Sequence, residues 1–220
     1  MSGRFTRSAR RLGLVSAIGA ATLIALYAVT LVVGLASLAS PNDAIADPMF
    51  TILEVLIIGL MPATVALIAS LHAWAPEERK PHALVALVFM ALVAVVTSAV
   101  HFCVLTLSRA EVFAGLPQVF AFRWPSVVYS LDILAWDIFF PVSVLFAATA
   151  ISGSRLALWT RATLVASGVL SFAGLAGVVT GDMQLRNIGI VGYVPVFFVA
   201  TILLAALFRG TAPAGNRPPE

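Results

Sequence analysis

Residues 126–148, SVVYSLDILAWDIFFPVSVLFAA, decide the fold class. Asp132 and Asp137 are the only charged residues in this apolar run. The run is long enough to cross a bilayer as a helix, which takes about 20 residues. It has none of the strict polar–apolar alternation of a half-buried strand. An Asp at the centre of a membrane helix costs about 2.5–3.5 kcal/mol on insertion scales. Chains that keep such a charge usually use it for pairing, for a proton, or for an ion or substrate. The segment therefore predicts a membrane helix that carries a polar site.

Working outward, five more stretches have similar length and character, giving predicted spans at 12–38, 49–74, 83–107, 126–151, 159–180 and 187–208. The second, MFTILEVLIIGLMPATVALIASL, contains Glu54, and the third, ending ALVAVVTSAVHFCVLTL, contains His101. The first follows the basic segment 1–11. Its apolar run exceeds the 7–15 residues of a signal-peptide core and predicts a retained helix. The whole chain is 61% hydrophobic and 10% charged, with a mean hydropathy of +1.04. A soluble domain is about a quarter charged. The expected fold is thus all-α: a polytopic integral membrane protein with six transmembrane helices in one bundle.

Basic residues predict the orientation. Ten of the thirteen fall on one side: Arg4, Arg7, Arg10, Arg11, Arg79, Lys80, Arg155, Arg161, Arg209 and Arg217. Arg109, Arg123 and Arg186 fall on the other. The positive-inside rule then places both termini in the cytoplasm, and from the size and style of the chain the membrane is expected to be a plasma membrane, a bacterial inner membrane. The net charge of +3 is explained by this orientation without nucleic-acid binding. The lipid bilayer is the one partner implied. The tail 209–220, rich in Pro, Gly and Ala, is expected to be disordered and cytoplasmic. The loop 108–125 is itself apolar and aromatic, and it is expected to lie along the outer interface with Trp124 as an anchor.

Helical rise places the charged groups in depth. At about 1.5 Å per residue, Glu54, His101 and Asp132 each lie about 9 Å inside the same face, and Asp137 lies about 16 Å inside it. These four are the candidate substrate-, ion- or proton-binding residues. Tyr129, Asp132 and Trp136 share a helix face, and Ser98 lies three residues before His101, so Ser98, Tyr129 and Trp136 are expected to support the site. Asp182 and Arg186 are expected to cap it from the connection between the fifth and sixth helices, as a polar lid with Gln184 and Asn187. Asp132 and Asp137 are about 140° apart on an α-helix, and Pro141 is expected to kink the helix just below them. The fifth helix carries no internal charge. Its Gly177-x-x-x-Gly181 predicts a packing role.

No phosphate-loop, HExxH, GxSxG or CxxC motif is present. The single Cys103 excludes an internal disulfide and a cysteine metal cluster. Glu54, His101 and Asp132 are the residues that would hold a metal, although their spacing does not require one. No cofactor is assigned. The leading functional expectation is a small transporter or proton- or cation-linked membrane protein whose carboxylate and histidine site faces outward. The alternatives are a membrane-embedded, metal-dependent hydrolase acting on lipid-like substrates, and a non-catalytic partner subunit or sensor.

Overall fold

The computed structural model describes residues 5–40 and 45–212. Arg4, Asp43, Arg217 and the tail beyond residue 212 lie outside the described residues. Within them the chain is all-helical, with no strand. Six helices are long and apolar enough to cross a membrane: α1 (Arg7–Ala36), α2 (Met49–Trp74), α3 (Lys80–Leu107), α4 (Val127–Ala150), α5 (Arg155–Thr180) and α6 (Met183–Gly210).

Local signals set the helix starts. The Thr6 hydroxyl accepts from Ala9 N, Ser126 Oγ from Tyr129 N, and Ser154 Oγ from Ala157 N. Each satisfies one orphan amide of a first turn. These caps explain why α1 and α5 begin earlier than the hydropathy profile predicts, at 7 rather than 12 and at 155 rather than 159. In both cases arginines fill the opening turns. The sixth helix likewise begins at 183 rather than 187, through a tight turn over Met183–Arg186 whose Asp182 carboxylate accepts from Gln184 N.

Consecutive helices pack side by side, and α6 returns to α1, so the six close into a ring. Phe140, Phe197, Phe208, Met61, Leu67, Leu71 and Met90 fill the centre. The outside is apolar too: Val15, Val32, Val95 and Leu158 are each about two-thirds exposed (64–67%). A helix that is apolar all round belongs in a core or a membrane.

The two ends of the ring differ. At the terminal end, where α1 begins and α6 finishes, arginines cap helix carbonyls. Arg10 donates to Phe208 O and Arg209 O, and Arg79 donates to Thr149 O and Ile151 O. At the distal end Arg109 pairs with Asp47 and lies over the Phe50 ring. The 108–125 connection is folded there, with one short turn at Glu111–Phe113 and another at Pro117–Phe120.

Two helices depart from α geometry. Leu134–Phe139 in α4 and Gly192–Val196 in α6 are π-turns, marked by Phe140 N bonding Ala135 O and Phe197 N bonding Gly192 O. α4 thus carries a π-turn that ends just before Pro141, a feature the sequence does not announce. α5 also tightens at Gly174–Leu175, where Gly174 N bonds Ser171 O. Gly177 packs on the Arg186 backbone. Gly181 faces open space at φ +78° and closes the helix in the left-handed region.

Candidate functional site

Four helices deliver charge to one place near the distal end. Glu54 is five residues into α2, about 8 Å along its axis, and His101 is six residues, about 9 Å, from the end of α3. Asp132 is five residues into α4, and Arg186 stands at the opening turn of α6. All are buried: Glu54 is 8% exposed, Asp132 5%, Arg186 4%, His101 3% and Asp137 0%.

Their contacts form a continuous chain. Glu54 Oε2 lies 2.7 Å from His101 Nδ1. His101 Nε2 lies 3.7 Å from Asp132 Oδ1, an ion-pair contact longer than a hydrogen bond. Arg186 Nη2 donates to Asp132 Oδ2 at 2.7 Å, and Arg186 Nε donates to Asp137 Oδ2 at 3.1 Å. The order is thus carboxyl, imidazole, carboxyl, guanidinium, carboxyl. Two atoms at this site are buried without a hydrogen-bond partner: His101 Nε2 and Asp137 Oδ1.

The π-turn accounts for the paired aspartates. Residues five apart diverge around an α-helix, but a π-turn closes with an i→i+5 bond, so they fall one turn apart on one face. Both carboxyls thereby reach one guanidinium.

Aromatic rings wall the cluster. The Tyr129 ring lies under Arg186 Cζ at 4.5 Å, a cation–π contact. Phe122, from the 108–125 connection, lies 5.3 Å from the His101 ring and edge-on to Tyr129 at 5.6 Å. Trp136 packs on Tyr193 at 5.1 Å and on Phe140 at 5.4 Å, deeper in the bundle. Tyr27 of α1 and Tyr193 of α6 are within electrostatic reach of Asp132 and Arg186.

Several sequence expectations need correction. Arg186 is no lid and no loop charge. Its side chain turns into the bundle, while Asp182, Gln184 and Asn187 stay exposed and bond within their own turn. α5 is more than a packing helix, because Gly174 stands directly against the Asp137 carboxyl. On α3 it is Thr97 that is fully buried, whereas Ser98 lines a surface groove with Met61, Pro62 and Ala94. Glu54 and Asp132 meet opposite nitrogens of His101, so the three stand together without sharing one ligand point. No group of three or more His, Cys, Asp or Glu side chains among the described residues is arranged to hold a metal ion.

Outside the cluster, the distal end carries an exposed ion pair among the described residues. Asp47 accepts from the Arg109 guanidinium, and also from Thr51 Oγ1 at 2.6 Å and Thr51 N at 3.2 Å. The Arg109 guanidinium, followed by the Thr51 bonds, holds the Asp47 carboxyl down at about 2. Asp47 in turn raises Arg109.

Compared with protein-family models, with curated proteins and with solved structures, the chain gives no match.

Proposed function

We propose that this chain is a multi-pass protein of the plasma membrane, the inner membrane of a bacterium, with both termini cytoplasmic. We propose further that its distal cluster binds and releases a proton, as the working site of a small transporter or proton-linked protein. The apolar exposed faces and the arginine-rich terminal end support the placement. Cysteines placed at residues 2, 42 and 216 test it. Labelling at 42 alone from outside intact cells is expected, and labelling at 2 or 216 contradicts it.

One observation carries the functional reading: the buried cluster has three carboxyls against one guanidinium and one imidazole. With every carboxyl ionised and His101 protonated, one negative charge remains. Each uncompensated ion held away from water costs several kcal/mol. One proton on the cluster removes that charge. His101 suits the exchange, because an imidazole accepts a proton on one nitrogen and releases it from the other, and both of its nitrogens face carboxyls. Intramembrane chains of Asp, Glu and His are the usual material of proton relays. The hydrolase reading finds no convergent metal set among the described residues. No observation favours the partner-subunit reading.

The test uses purified protein in liposomes that enclose a pH-sensitive dye. An imposed pH gradient should collapse faster with the wild type than with Glu54→Gln, His101→Ala or Asp132→Asn. A wild-type rate equal to that of empty liposomes contradicts the proposal.

A further inference from the structure

The three carboxyls are not equally held as anions. Glu54 Oε2 meets the imidazole at 2.7 Å. Asp132 faces a nitrogen with each oxygen, His101 Nε2 at 3.7 Å and the Arg186 cation's Nη2 at 2.7 Å. Asp137 is 0% exposed, and its one partner is Arg186 Nε at 3.1 Å. Its Oδ1 has no donor at all. That oxygen lies in a notch made by the crossing of α5 and α6. A methyl group built on Gly174 would collide with it, and one on Gly189 would come within 2.5 Å. The Ser171 carbonyl oxygen borders the same notch, 3.1 and 3.3 Å from those two methyl positions. It accepts a tight-turn bond from Gly174 N, and a carbonyl oxygen carries two lone pairs.

An anionic oxygen against two Cα carbons and a carbonyl is poorly stabilised, whereas a carboxylic acid O–H in the same place has an acceptor at hand. Resting on the proton-site reading above, we infer that Asp137 is the carboxyl that carries the proton, on Oδ1, in the Gly174–Gly189 notch. The resting cluster is then Glu54 anionic, His101 cationic, Asp132 anionic, Arg186 cationic and Asp137 neutral, with no net charge. The proton comes from water and returns to it. The groups facing Asp137 are Asp132 on its own helix and Arg186 and Tyr193 on α6, and none of the described charged side chains of α5 reaches it. His101 and Tyr27 lie next to Asp132, and Glu54 lies beyond His101. Glycine at 174 and 189 is therefore a requirement of the site, since any larger residue displaces the acid.

Infrared difference spectra of the protein in lipid bilayers test this, taken as pH rises from mildly acidic to mildly alkaline. The wild type should show one protonated-carboxyl stretch that disappears on alkalinisation. Asp137→Asn should lose that band, Glu54→Gln should keep it, and Gly189→Ala should shift it. An amide also mimics a neutral acid, so Asp137→Asn should keep the wild-type Tm while Asp132→Asn lowers it. A band that survives Asp137→Asn and vanishes in Glu54→Gln overturns this inference and leaves the proton site standing. Failure of Asp137→Asn to fold overturns it as well, since a neutral group would then not be tolerated. The absence of any titrating carboxyl band in the wild type removes both readings.

Discussion

Asp132 and Asp137 stand five residues apart on one helix, yet both bond the same Arg186 guanidinium, at 2.7 and 3.1 Å. The arrangement depends on the π-turn at Leu134–Phe139 and on the planar fork of arginine, whose Nε and Nη2 donors serve two acceptors at once. Removing the cation should therefore do more than delete two hydrogen bonds. Arg186→Leu leaves Asp137 without a partner and Asp132 with only its longer His101 contact, and breaking a buried pair in this way costs about 3–5 kcal/mol. The expected result is a sharply lower Tm in detergent and a low yield of folded protein. Arg186→Lys should recover only part of the loss, because an ammonium is a point charge and has no fork. Wild-type stability in Arg186→Leu would show that the pairs contribute nothing to the fold.

Phe122 covers His101 from the distal side, while being 44% exposed itself. Phe122→Ala should cost only about 1 kcal/mol, the scale of one aromatic pair, because little of the ring is buried. It should nevertheless speed the reaction of His101 with diethyl pyrocarbonate several-fold, read by peptide mass spectrometry. His82, exposed at the terminal end, serves as the internal control and should react equally in both proteins. Unchanged protection of His101 would mean that the ring does not guard the site.

The Asp47–Arg109 pair gives a pH dependence with a definite sign. The folded carboxyl titrates at about 2, below its ordinary 3.8. A depressed carboxyl contributes stability that is fully present above the ordinary value and is lost as pH falls through the folded one. Asp47→Asn should therefore have a slightly lower Tm than the wild type at neutral pH, and the gap should close as pH approaches 2. The pair is exposed, so added salt should narrow the gap too. A gap that widens in acid would contradict the assignment.

Six long apolar helices are legible in the sequence because hydropathy over about 20 residues picks out any stretch long and apolar enough to cross a bilayer. The shared depth of Glu54, His101 and Asp132 is also legible, since it needs only helix ends and a fixed rise. Arg186 is not. A hydropathy profile puts a charged residue outside the span, and the turn at Met183–Arg186 that folds it inward leaves no periodic signal. The π-turn is invisible for a related reason: a template of 3.6 residues per turn sets Asp132 and Asp137 on different faces. Gly174 and Gly189 are ordinary small residues in sequence. Their role depends on a crossing of α5 and α6 that only the fold defines.

Counting protons tests the central claim most directly. The comparison is between the wild type and a variant in which the cluster is neutralised throughout: Glu54→Gln, His101→Gln, Asp132→Asn, Asp137→Asn and Arg186→Gln. Both are held in lipid bilayers and titrated potentiometrically from mildly acidic to mildly alkaline pH. If the cluster exchanges a proton, the wild type releases about one more proton per chain than the variant. Equal proton release from the two would contradict the account.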